Sequence, residues 1–135
     1  MKVKHVLLID DNDIDNYINN HIVKKSKISD KISIKNSAIK ALEYLESIKD
    51  NVEEFPDLIF LDIGMPIMNG FDFLEELVKF PIVVNNQCSV VMLTSSNDKN
   101  DIERAKQFFV VKEYLIKPLK LDLLGTIDLS NCEYC

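Results

Sequence analysis

Five short apolar segments alternate with amphipathic stretches along this chain, and that alternation leaves few folds open. The segments are Val6-Leu7-Leu8-Ile9, Ile32 and Ile34 in a polar-alternating run, Leu58-Ile59-Phe60-Leu61, Val90-Val91-Met92-Leu93, and the mixed run from Val111 to Ile116. Between them, Ile14, Ile18 and Ile22 recur at helical spacing. So do Ala38, Ala41, Leu42, Leu45 and Ile48, then Phe73, Leu74, Leu77 and Val78, then Ile102, Ala105, Phe108 and Phe109. Each set predicts a helix with one buried face. A fifth helix is expected after Pro118, with Leu119, Leu123, Leu124 and Ile127 on one side, although Gly125 weakens it. Caps are expected at Asn12 or Asp13, Ser37, Asn69, and Asn97 or Asp98.

Strand and helix in strict alternation mean a parallel sheet with helices on both faces. The first, third and fourth segments are continuously apolar, as strands covered on both sides should be. The second and fifth carry Lys31, Ser33, Lys35, Lys112 and Glu113, which suits sheet edges. The flavodoxin-like order 2-1-3-4-5 meets both requirements, and right-handed crossovers complete the topology. The expectation is therefore one α/β domain over residues 1–129, a doubly wound five-stranded sheet, with a polar C-terminal tail over 130–135.

A net charge of −6 argues against general nucleic-acid binding, which needs a basic face. No apolar run approaches the ~20 residues that span a bilayer, and the charged N-terminus leads straight to Asp10 and Asp11 rather than to a leader, so a cytoplasmic location is expected. The three cysteines read as reduced thiols. Cys132 and Cys135 form a C-x-x-C, but with only two histidines in the chain a zinc site lacks ligands.

Ligands of open parallel sheets sit beyond the carboxyl ends of the strands, where the order reverses. The strand ends here carry Asp10-Asp11, Asp62, Thr94-Ser95-Ser96 and Lys117-Pro118. Three carboxylates converging on one place repel, by about 1 kcal/mol per pair at 4 Å in water and more near a protein interior. Lys117 supplies one compensating charge. A hard divalent cation with oxygen ligands, Mg²⁺, is the natural remainder. Phosphoryl transfer needs a nucleophile, a cation and donors for the phosphoryl oxygens. Asp62 can be the nucleophile, Asp10 and Asp11 can hold the metal, and Thr94 and Lys117 can bind the oxygens.

These segments resemble the receiver domains of two-component response regulators. Leu7-Leu8-Ile9-Asp10-Asp11 is similar to the first signature of that family, and Leu61-Asp62-Ile63-Gly64-Met65-Pro66-Ile67-Met68-Asn69-Gly70 to the phosphoacceptor loop. Val91-Met92-Leu93-Thr94-Ser95 resembles the switch-threonine strand, and Tyr114-Leu115-Ile116-Lys117-Pro118 the last strand with its lysine. The resemblance runs from about Val3 to Leu124, with Asn69 where the family usually has Asp. It implies that Asp62 accepts the phosphoryl group from a sensor histidine kinase or histidine phosphotransfer protein. Asp11, the carbonyl of Gly64 and Asp62 would hold Mg²⁺, with Asp10 acting largely through water. Thr94 would be the switch threonine, Tyr114 the switch aromatic, and Lys117-Pro118 a cis bond. Small residues at Gly64 and Ser96 suggest self-catalysed dephosphorylation, and the lack of an output domain in the sequence given implies an unidentified downstream protein.

Other motifs fail. Asp11-x-Asp13-x-Asp15 begins like a calcium loop, but Asn16 and Ile22 stand where it needs Gly and Glu. A constitutive interaction module of the same fold is the alternative, yet nothing structural asks for so many carboxylates together.

Overall fold

A computed structural model describes residues 3–127. The polar tail and the C-x-x-C lie outside the described residues. The elements run β1 (Val6–Ile9), α1 (Asp13–Ser26), β2 (Ile32–Lys35), α2 (Ala38–Ser47), β3 (Leu58–Leu61), α3 (Gly70–Leu77), α4 (Pro81–Val84), β4 (Ser89–Thr94), α5 (Lys99–Lys106), β5 (Val111–Ile116) and α6 (Leu121–Leu124). The five strands are all parallel, in the order 2-1-3-4-5. This is the doubly wound sheet expected from the sequence.

Alternation along each strand divides the core in two. Leu7, Ile9, Ile59, Leu61, Val90 and Met92 point to one face, where α2, α3, α4 and α5 cover them with Leu45, Phe73, Leu74, Val83 and Ala105. Val6, Leu8, Leu58, Phe60, Val91 and Leu93 point to the other, where Val23 of α1 and Leu124 of α6 close the layer. Side chains of adjacent strand residues leave the sheet on opposite sides, so one continuous apolar run serves both cores. Between β4 and β5 the register shifts: Val90 pairs with Val111, but Val91 pairs with Glu113. Lys112 is the extra residue of this bulge.

The helices start as their caps require. The Asn12 side chain accepts from the Ile14 and Asp15 amides, Ser37 from Lys40, and Asp98 from Asn100. Asn69 and Asp72 form a reciprocal capping box at the start of α3. The Lys117-Pro118 bond is cis.

Local departures from the expectations fall at four helices. Helix α1 leaves two of its three isoleucines outside the core: Ile14 is 70% exposed and Ile18 39%, with Tyr17 between them at 74%, while Ile22 packs partly buried against it. Its inward positions are instead Asn16, Asn19 and Val23. A short helix, α4, begins at Pro81, a residue whose fixed φ suits a first helical position. The helix after strand 4 stops at Lys106, so Phe108 lies past its end, only partly buried, and Phe109 is exposed. After Pro118 only one turn forms, and Leu119 reaches the core from outside it.

At the amino edge of the sheet His5 is buried beside Asp57, whose carboxylate accepts from the Lys4 and His5 amides at 2.9 Å each. The ring's Nδ1 lies 2.6 Å from the Glu54 carbonyl and Nε2 lies 2.8 Å from the Ser33 hydroxyl. A neutral ring with its proton on Nδ1 satisfies both neighbours. Burial holds the His5 pKa below the ordinary histidine value, helped by Lys31 and Lys4 against the Glu54 contacts. The unfolded chain therefore takes up a proton near pH 6.5 that the folded chain refuses. Stability should be level above that pH and fall below it, by up to about 1.4 kcal/mol per pH unit. Urea unfolding either side of that pH measures the drop, which His5→Gln is expected to reduce.

Candidate functional site

The carboxyl ends of β1, β3, β4 and β5 meet at one edge of the sheet. Ile9 pairs with Leu61, and the Asp62 amide donates to the Ile9 carbonyl at 3.1 Å, so Asp10 and Asp62 follow side by side. The Lys117 amide donates to the Thr94 carbonyl at 2.9 Å, which ties the ends of β4 and β5 in the same way. Asp10, Asp11 and Asp62 each offer a carboxylate oxygen, and the three oxygens lie within 4.8 Å of one another. Asp10 and Asp62 are buried and Asp11 is exposed.

Lys117 reaches into this group. Its Nζ lies 2.6 Å from Asp10 Oδ2, 2.9 Å from Asp15 Oδ2 and 3.7 Å from Asp62 Oδ1. Only the Asp15 contact has hydrogen-bond geometry; the Asp10 contact is close but badly angled, a meeting of charges rather than a directed bond. Burial works against the ammonium, yet Asp10, Asp15 and Asp62 outweigh it and hold the Lys117 pKa above the ordinary lysine value. Burial acts in the other direction on Asp10. It raises that carboxyl's pKa, and repulsion from Asp62 adds to it against the Lys117 and Asn12 contacts.

Backbone geometry shapes the loop after β3. The Gly70 amide donates to the Ile63 carbonyl at 2.9 Å, and a Cβ on Gly70 would lie 2.5 Å from the Asp62 carbonyl oxygen. Only glycine lets α3 start this close to the loop. Gly64 differs, since nothing lies within 4 Å of where its Cβ would be. Ile67, 93% exposed, has a left-handed backbone with φ 70°, a costly conformation for a β-branched residue.

Thr94 is buried at the end of β4. Two residues on, Ser96 donates its amide to the Thr94 hydroxyl at 3.4 Å and its own hydroxyl to Asp101 at 2.6 Å, while its carbonyl accepts from the Tyr114 hydroxyl at 2.8 Å. Ser96 thus links Thr94 to Tyr114.

Asp10, Asp11, Asp62 and Lys117 come together at this edge, Thr94 ends β4 there, Gly64 lies in the loop after β3, and Tyr114, inside β5, reaches the edge through Ser96. Sequence reasoning missed Asp15 and Asn16. Asp15 lies in the first turn of α1, while Asp11 precedes the Asn12 cap, so no helical spacing links the two. Asn16 donates from Nδ2 to the Asp10 carbonyl at 2.8 Å, a tie that nothing in the sequence marks.

The family model of the response regulator receiver domain matches residues 6–127. A rice protein described as two-component response regulator ORR13 (Oryza sativa subsp. japonica) is 29% identical over 123 residues, covering 90% of this chain and 92% of the relative. A two-component response regulator from Cytophaga hutchinsonii superposes with a TM-score of 0.84 at 30% identity, covering 93% of each chain. The Mn(2+)-bound form of response regulator Rcp1 superposes at 0.71 with 27% identity, covering 88% of this chain and 84% of its own.

Proposed function

The chain belongs to the response regulator receiver domain family, and from that premise we propose that Asp62 is its phosphoacceptor and that Mg²⁺ serves the transfer. The carrying observation is the gathering of three carboxylate oxygens within 4.8 Å, faced by the Lys117 ammonium. The donor set suits a hard cation. Every candidate ligand is an oxygen, and the buried Asp10 Oδ2 has no directed hydrogen-bond donor. Asp11, Asp62 and the Gly64 carbonyl would hold the cation, with Asp10 acting through water. Such a cation neutralises carboxylates and phosphoryl oxygens together, which lets one anion approach another.

In the forward step a carboxylate oxygen of Asp62 bonds to phosphorus as the donor's N–P bond breaks. The electron pair leaves on the imidazole of a histidine kinase or phosphotransfer protein. Lys117 and the Thr94 hydroxyl hold the phosphoryl oxygens. In the return step a water oxygen attacks phosphorus, the bond to Asp62 breaks with its pair going back to the carboxylate, and both hydrogens of the water leave on inorganic phosphate. Open space at Gly64 and the engagement of the Ser96 hydroxyl by Asp101 leave room for water, which supports the reading that dephosphorylation is self-catalysed.

Switching would run through Ser96. A Thr94 hydroxyl drawn to the phosphoryl group pulls on Ser96 and so on Tyr114, which changes the face made by α5 and β5. That face, with Ile102, Val111, Tyr114 and Ile116 along its groove, would meet the downstream protein. The phosphodonor's docking would use the exposed Ile14, Tyr17 and Ile18, three residues sharing one side of the helix that begins at the pocket. Among the described residues no helix is long and apolar enough to cross a membrane. A cytoplasmic site of action agrees with the proposed donors.

Incubation with Mg²⁺ and acetyl phosphate, read by intact mass, tests the reading. One phosphoryl group should be added, none without Mg²⁺, and none in Asp62→Asn. Undiminished addition in Asp62→Asn would overturn the assignment. Equal binding of a partner with and without phosphodonor would favour the constitutive module.

A further inference from the structure

The directed hydrogen bond that ties Lys117 to the acidic pocket goes to a carboxylate outside the metal-binding set. Asp15, 102 residues away in the chain, takes one of the three ammonium hydrogens at 2.9 Å. Asp10 is nearer but poorly aligned, and Asp62 at 3.7 Å is beyond hydrogen-bond reach. Asp15 is also anchored. Its amide donates to the Asn12 side chain at 3.1 Å, and the next residue, Asn16, is tied to the Asp10 carbonyl. The backbone that carries Asp15 is therefore fixed at the start of α1, so the carboxylate can follow the ammonium only as far as its own short side chain turns if Lys117 moves toward a group on Asp62.

We propose that Asp15 is a positioning residue that competes with the phosphoryl group for Lys117, and so lowers the affinity of the pocket for that group. The inference rests on the reading of Asp62 as phosphoacceptor. In the resting pocket Asp15 keeps the ammonium directed and near Asp62. Once a phosphoryl oxygen is in place, Lys117 must exchange its bond to Asp15 for one to the phosphoryl group, and what it gives up is subtracted from what it gains. Removing the Asp15 charge removes that loss.

The test is equilibrium binding of beryllofluoride, a phosphoryl mimic, at saturating Mg²⁺, followed by ¹⁹F NMR. Asp15→Asn keeps the size of the side chain and should bind the mimic ~5-fold more tightly, the scale of one partly solvated charge contact. In a Lys117→Ala background, read at millimolar concentrations, the same substitution should change affinity far less, because the competition has lost its object. Equal tightening in both backgrounds would assign the effect to plain charge repulsion and overturn the proposal. Unchanged or weaker binding in Asp15→Asn alone would also overturn it. Helix fraying from loss of a first-turn acid would show in the melting temperature without following the Lys117 background. Failure of the unaltered protein to bind the mimic or to accept phosphate would instead remove the phosphoacceptor reading.

Discussion

Lys117→Ala is expected to slow phosphorylation of Asp62 by acetyl phosphate by about a hundredfold or more, the usual loss when a preorganised donor to developing charge is removed. The same change should tighten Mg²⁺ binding, because the ammonium near Asp10 and Asp62 repels the cation. Most single substitutions in a metal-dependent site weaken both properties together; here they should move in opposite directions. Stability supplies a third readout. Asp10 is buried against Lys117, and without that charge its carboxylate is left nearly uncompensated, at a cost of about 2 kcal/mol once partial solvation of the site is allowed for. Mg²⁺ should restore more melting temperature to the variant than to the unaltered protein. Titration of Lys117 does not confuse these measurements. Its pKa is raised, so the stability it contributes is fully present below the ordinary lysine value and is lost only in strong alkali. A variant that phosphorylates at the normal rate would remove Lys117 from the transfer step.

Gly70→Ala should destabilise the fold by about 3 kcal/mol, at the upper end for forcing an added methyl into filled space. The nearest atoms to the added Cβ are the Asp62 carbonyl oxygen at 2.5 Å and Ile63 Cα at 2.9 Å, both backbone and unable to rotate aside. Relief requires α3 to withdraw from the loop or the loop to shift, and the loop begins at Asp62. Denaturant unfolding measures the loss. Gly64→Ala is the control: its methyl meets open space, and its cost should stay under about 1 kcal/mol. Equal costs at the two glycines would mean that the crowding at Gly70 is relieved elsewhere.

The strand order was legible because burial on two faces and burial on one leave different residue patterns. Leu58-Ile59-Phe60-Leu61 tolerates no polar residue, while Ile32-Ser33-Ile34-Lys35 does. The strand-end residues were legible because a parallel sheet delivers all its carboxyl ends to one edge. Helix α1 was misread for a definite reason. Isoleucine at i, i+4, i+8 looks like a core stripe, but the inward side of this helix faces the end of β1, where a free carbonyl needs a donor. Asn16 meets that need, so amides occupy the side that hydrophobicity assigned to Ile14 and Ile18. Asp15 was hidden by its neighbours, since a run of alternating aspartates reads as the start of a calcium loop. Helix α4 was hidden by composition: Pro81-Ile82-Val83-Val84 contains a helix starter followed by residues that favour strands.

Two ties run from the first turn of α1 to the ends of two different strands: Asn16 to the Asp10 carbonyl after β1 and Asp15 to the Lys117 ammonium after β5. The outer side of that same turn carries Ile14. A body that grips α1 from outside is therefore holding a handle already fastened to the ends of both β1 and β5, and a small tilt of the handle would alter how Lys117 sits against Asp10 and Asp62.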